Sequence, residues 1–161
     1  MPTGPAARMA DMTAHGGPLA PGPPSPNVLI GGQPAWLGMS AAGAAALAAT
    51  FSTGMSNVTA AAAANTAAAG TPAAPAAAAN LAKTATEAVA NMAAQMAASG
   101  ASMNACPIVK VVIPDGPGVV ITPSQTVFIN GMGACRVGDV IQEATSVNTI
   151  AQGLPTVVIG G

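Results

Sequence analysis

Charge is scarce in this chain: 6% of its 161 residues are Asp, Glu, Lys or Arg, four basic against five acidic, with a formal net charge of -1. A surface that tracks phosphates needs clustered Lys and Arg, and an acidic solvating tail needs runs of Asp and Glu. Neither is present, so no nucleic acid is expected among the partners. Aromatics make up 2%, with one Trp, two Phe and no Tyr, which excludes a large aromatic core. One His and two Cys cannot supply a disulfide framework, although a single Cys106–Cys135 bridge stays open. Nor can they assemble nucleophile, base and orienting group at a recognised spacing. No G-x-x-x-x-G-K-S/T or G-x-G-x-x-G opens a helix after a strand. An enzyme is not expected. Met1 to Ala10 has no basic stretch followed by an apolar run, so no secretory signal peptide is expected either.

Glycine (19) and proline (15) are plentiful, and 51% of residues are nominally hydrophobic, though many of these are alanines that bury little area each. The length suits one compact domain or a small domain with an appendage. Three apolar segments share one pattern: Pro26-Asn27-Val28-Leu29-Ile30-Gly31-Gly32, Gln125-Thr126-Val127-Phe128-Ile129-Asn130-Gly131 and Pro155-Thr156-Val157-Val158-Ile159-Gly160-Gly161. Each reads as a short strand of β-branched residues running into a turn, where Gly-Gly or Asn-Gly supplies positive φ. Arg8-Met9-Ala10-Asp11 precedes the first copy and Arg136-Val137-Gly138-Asp139 the third. Asp11 lies 17 positions before Val28, and Asp139 lies 18 before Val157. Two markers whose offsets agree within one residue define an internal repeat of roughly 30 residues that occurs three times, starting near Ala7. Val28, Ile30, Val127, Ile129, Val157 and Ile159 are its expected inward-facing residues.

The second copy is interrupted between Trp36-Leu37-Gly38-Met39 and Asn104-Ala105-Cys106-Pro107 by a segment of Ala, Thr, Ser and Asn. Leu47, Phe51, Met55 and Val58, then Leu81, Ala85, Val89, Met92 and Met96, recur at spacings of three and four, as on one face of a helix. Ser40 is a candidate N-cap, Gly70 a helix stop, Pro72 to Pro75 a bend, and Lys83/Glu87 an i,i+4 pair. The expected organisation is therefore 1–39 as repeat one and the start of repeat two, 40–101 as an Ala-rich helical hairpin, and 102–161 as the remainder. Three readings of the insertion stay open: a structural hairpin of closely packed small residues, a membrane hairpin, and a disordered low-complexity stretch.

Pro5-Ala6-Ala7-Arg8, Gly131-Met132-Gly133-Ala134-Cys135-Arg136-Val137-Gly138-Asp139 and the three Val-x-Ile-Gly/Asn-Gly segments together resemble the PAAR-repeat family, over residues 5–39 and 102–161. The resemblance implies a mainly β fold, a small cone of three β-hairpin repeats around a pseudo-threefold axis, here with the helical hairpin inserted. It implies a structural tip that caps the trimeric spike of a contractile injection system, one tip per trimer, and sharpens it for membrane puncture. Its partners would be that spike and, transiently, the target membrane. The alternative is an adaptor that carries effector cargo, with the insertion as its attachment point. The implied location is the cytoplasm before firing, then outside or inside a target cell. A type VI secretion machine, an extracellular particle and a phage-tail-like particle all stay open. The chain ends on the third copy, so no appended toxin domain is expected. Two departures stand out: the second copy reads Pro34-Ala35-Trp36-Leu37 and the third Gly133-Ala134-Cys135-Arg136, with Cys135 at an Ala position as a small core residue. Arg8/Asp11 and Arg136/Asp139 are expected as local struts, each worth ~0.2–1 kcal/mol if exposed.

Relatives commonly hold one zinc near the vertex through His and Cys of different repeats. Four residues past the marker Asp stand His15 in copy one and Glu143 in copy three, and Cys106 occupies the equivalent place in copy two. Equivalent positions around a threefold axis converge, as a tetrahedral ion requires. Asp115 aligns with a place where relatives often carry a His, which makes it a candidate fourth ligand. Asn104 and Glu143 stand where relatives often show His and Cys, so the set His15, Cys106, Asp115 and Glu143 is harder in character than a His-rich one.

Overall fold

Left-handed backbone at Gly31 and Gly32 (φ 57° and 83°), and at Asn130 and Gly131 (φ 53° and 78°), folds the first two apolar segments into two-residue hairpins, the geometry that Gly-Gly and Asn-Gly allow. The computed structural model describes residues 2–108 and 115–160. In chain order these form β1 (Gly4–Ala6), β2 (Leu29–Ile30), β3 (Gln33–Pro34), β4 (Leu37–Gly38), α1 (Ala41–Ala68), α2 (Ala74–Ala98), β5 (Met103–Ala105), β6 (Pro117–Val120), β7 (Phe128–Ile129), β8 (Met132–Ala134), β9 (Val140–Glu143), β10 (Val147–Thr149) and β11 (Leu154–Ile159). The fold is thus rich in short strands, with one helical hairpin between β4 and β5.

The hairpins are β2–β3 and β7–β8, and β8 also pairs antiparallel with β4, Leu37 opposite Ala134. The third apolar segment, whose final Gly161 lies outside the described residues, differs from the hairpin expected of it. Here β11 pairs with β1, Gly4 opposite Ile159 and Pro5 opposite Val158. The first strand of the chain supplies the return strand that the first two segments draw from downstream. A four-stranded antiparallel sheet in the order β10-β9-β6-β5 completes the β structure among the described residues.

The repeat positions meet in space. Ala6, Ala35 and Ala134 are fully buried in one cluster with Ile30 and Ile159. The next residue of each copy, Ala7, Trp36 and Cys135, is fully buried in a second cluster with Leu19, Val120, Ile141 and Ile150. Backbone hydrogen bonds join those three in a closed ring: Ala7 N–H donates to Cys135 (2.9 Å), Cys135 to Trp36 (3.2 Å) and Trp36 to Ala7 (3.1 Å). The small residues Ala6, Ala35 and Ala134 form one layer, and Trp36 supplies most of the bulk of the next. Cys135 is a free thiol there, and burial pushes its pKa well up. Of the six expected inward residues, Ile30 and Ile159 are buried, Val28 and Ile129 half-buried, and Val127 and Val157 exposed. The Ile of each segment packs on the Ala6, Ala35 and Ala134 cluster, whereas of the three Val residues only Val28 reaches it.

The insertion forms two helices of 28 and 25 residues, about 40 Å each at 1.5 Å per residue. Ser40 caps α1 by accepting from Gly43 N–H (3.2 Å), and Gly70 turns the chain with φ 76°. Lys83 and Glu87 pair at 3.8 Å on the surface. Leu47, Met92 and Met96 are buried with Met39, Val119 and Ala144, so one end of the hairpin is welded to the β sheet through β6. The helices approach closely at Gly54, where a Cβ would lie 3.2 Å from Ala88 Cβ. No described helix is long and apolar enough to cross a membrane.

Candidate metal centre

Four turns and strand ends carry the candidate ligands. His15 rides a tight turn closed by Thr13 N–H to Gly17 O (2.9 Å) and anchored by Ala14 N–H to Thr149 O (2.9 Å) and His15 N–H to Asn148 Oδ1 (3.2 Å). Cys106 follows β5, its N–H donating to Gly116 O at 3.2 Å. Asp115 precedes β6 and accepts from Ala144 N–H through its backbone (2.9 Å), while Glu143 ends β9. One ligand atom from each of His15, Cys106, Asp115 and Glu143 lies within 4.8 Å of all the others. His15 Nδ1 is 3.4 Å from Cys106 Sγ and 3.2 Å from Glu143 Oε2, and Cys106 Sγ is 3.8 Å from Asp115 Oδ2. Ligands at 2.0–2.3 Å around a tetrahedral ion stand roughly 3.3–3.8 Å apart, so the spacing fits.

The chemistry fits as well. Glu143 and Asp115 are 0% and 1% exposed, and burying two carboxylates with a thiol and one imidazole is costly without a cation among them. Hydroxyl and amide groups orient both acids: Ser146 Oγ donates to Glu143 Oε2 (2.6 Å), Asn148 Nδ2 to Glu143 Oε1 (2.9 Å) and Thr145 Oγ1 to Asp115 Oδ1 (2.7 Å). Such partners fix the direction of ligand lone pairs. Sequence reasoning missed all three, because Ser, Thr and Asn are common in this chain and carry no spacing signature. The four residues could hold one divalent ion, which would cross-link the three repeat copies rather than supply reactive chemistry.

Burial, followed by the neighbouring Glu143 and Asp115 charges, pushes the Cys106 thiol up to about 11. At neutral pH the thiol carries its proton, and an ion that takes the thiolate must expel it. Affinity therefore rises with pH. Ion titrations at a series of near-neutral pH values are expected to show Kd falling roughly tenfold per pH unit for this one released proton. Cys106→Ser should flatten that slope, and an equal slope in the variant would remove Cys106 from the ligand set.

A repeat protein whose copies close a hydrogen-bonded ring beside a four-residue ligand cluster is the class that fold and site define. Residues 112–161 match the family model described as PAAR motif. That match takes in β6 to β11 and supports a PAAR-repeat protein. The motif points to spike-tip proteins of contractile injection systems in general, a structural rather than catalytic family that associates with a spike. No curated protein and no solved structure matches the chain.

Proposed function

We propose that this protein is the tip that caps the trimeric spike of a contractile injection system, one copy per trimer, as a cone with pseudo-threefold symmetry. The closed ring of Ala7, Trp36 and Cys135 carries this reading, since three copies exchanging the same backbone bond are what a pseudo-threefold axis demands. The three apolar segments are also linked in turn. Asn130 Nδ2 donates to Ser25 Oγ (3.0 Å), Ser124 Oγ donates to Gly160 O (2.5 Å), and Gly31 packs against Leu154. Each segment turns its central residue outward: Leu29, Phe128 and Val158 are 61%, 59% and 64% exposed. Three equivalent apolar residues around one axis suit the blunt end of a trimer, where each would meet one subunit. Zinc at His15, Cys106, Asp115 and Glu143 would hold the copies together, and the particle would assemble in the cytoplasm before firing.

Native mass spectrometry of the co-purified complex should give three spike chains to one tip. Leu29→Asp combined with Phe128→Asp should abolish co-purification while leaving circular dichroism unchanged, because both side chains are already solvent-exposed. Three tips per trimer, or undiminished binding by the double variant, would reject the docking model. The adaptor reading draws support from the length of α1 and α2, which far exceeds the end packed on β6. Loss of cargo but not of spike binding on shortening the distal helical turns would favour it.

A further inference from the structure

Asn104 is a buried amide without a partner. It is 2% exposed, and neither Nδ2 nor Oδ1 makes a hydrogen bond. Few native side chains are left so, because the lost hydration is not replaced. Its placement is specific. Asn104 lies opposite Gly118, and Gly118 opposite Glu143, so the row runs straight across β5, β6 and β9 and all three share one face of the sheet. Cys106 is two residues along from Asn104, on that same face, and its N–H to Gly116 continues the pairing. A Cβ on Gly118 would lie 2.9 Å from Asn104 Oδ1 and 3.0 Å from Glu143 Cγ, so amide and glutamate close over the glycine side by side. The unpartnered amide thus stands on the ligand face of the sheet, flanked by two of the four candidate ligands.

We propose that Asn104 belongs to the centre and gives its ion a fifth donor, the amide oxygen. This rests on the metal assignment above and deepens it: the centre takes a five-coordinate divalent transition ion through one nitrogen, one sulfur and three oxygen-donor residues. A carbonyl oxygen adds a hard donor without adding charge, which matters in a site already holding two carboxylates. Ions that accept more than four ligands, such as Fe²⁺ and Co²⁺, fit this set as well as zinc in its five-coordinate form.

Co²⁺ is the probe, because its visible absorption is weak when five-coordinate and much stronger when tetrahedral. The full chain loaded with Co²⁺ should show weak visible bands together with near-ultraviolet charge transfer from the Cys106 thiolate. Asn104→Leu, at equal bound cobalt, should raise the visible absorption several-fold, and Asn104→Asp, which keeps an oxygen, should restore the weak spectrum. A strong tetrahedral spectrum in the unaltered chain overturns the proposal whether or not the leucine variant folds. An unchanged spectrum in a folded Asn104→Leu protein overturns it too, in both cases leaving the metal assignment standing. Absence of bound cobalt and of the charge-transfer band overturns the metal assignment itself, and the fifth ligand with it.

Discussion

Chelation of protein purified with its ion, without a His tag, is expected to lower the melting temperature by roughly 8–16 °C. That follows from about 4 kcal/mol of linkage for an ion a thousandfold above its Kd, and 2–4 °C per kcal/mol in a chain of this size. His15 is the only imidazole, and its Nδ1 touches both Cys106 Sγ and Glu143 Oε2. Its removal leaves a thiol and two carboxylates from the other copies, too hard a set for zinc. His15→Ala should therefore melt at the temperature of the chelated native protein and ignore further chelator. Ion binding is folding free energy here, because the four ligands come from segments spread over most of the chain and meet only in the folded state. A native protein with metal content near zero and a melting temperature indifferent to chelator would reject the centre.

The second large effect belongs to an ion pair. Arg136 Nε donates to Asp139 Oδ1 at 3.0 Å, with the two side chains 4% and 5% exposed. Asp139 Oδ2 accepts from Arg136 N–H at 2.9 Å. The expectation of a modest exposed strut fails here, because the pair is buried. Burial pushes the Asp139 carboxyl above its usual 3.8, against the opposing pull of Arg136. Arg136→Met should destabilise the protein by about 3–5 kcal/mol, since it strands a buried carboxylate. Arg8→Met, at the copy of the motif with side chains 19% and 9% exposed, should cost less, because water reaches the Arg8 end of the pair. The sign of the pH dependence follows. With its folded pKa raised further in Arg136→Met, Asp139 holds a proton more tightly folded than unfolded, so the deficit is relieved below about 4 and grows as pH rises through the raised value. Adding Asp139→Asn should recover part of the loss. Equal melting temperatures for the Arg136 and Arg8 variants would sink the argument.

Three of the four candidate ligands are legible in the amino-acid sequence, for a physical reason. A repeat maps each position onto its equivalents, and equivalents around an axis converge. One count from the marker Asp therefore reaches His15 and Glu143 without knowledge of any turn, and Cys106, in the copy that lacks the marker, is placed by the Cys-Pro that opens its segment. Asp115 is reached by the family resemblance alone. The helical hairpin is equally legible, because Leu47, Val58, Ala85, Met92 and Met96 carry helical spacing and are buried, as is Ala61, while Phe51, Met55, Leu81 and Val89 of the same stripes are half-buried.

Other properties depend on which segments meet, and local patterns do not encode that. The same Arg-x-x-Asp motif keeps its Arg partly exposed in copy one and is wholly buried in copy three, where the Arg136 guanidinium also donates to Pro2 O. The third apolar segment has the hairpin vocabulary of the first two, yet pairs with Gly4–Ala6 from the far end of the chain. Ser146, Asn148 and Thr145 became carboxylate partners only when the β9–β10 turn brought their polar groups onto Glu143 and Asp115. Asn104 became an unpartnered amide only through its cross-strand register over Gly118. The repeat and the insertion are written in the order of residues, because both follow from periodicity along the chain. Burial, strand partner and hydrogen-bond complement were decided by the tertiary structure, because each depends on neighbours brought from distant parts of the chain.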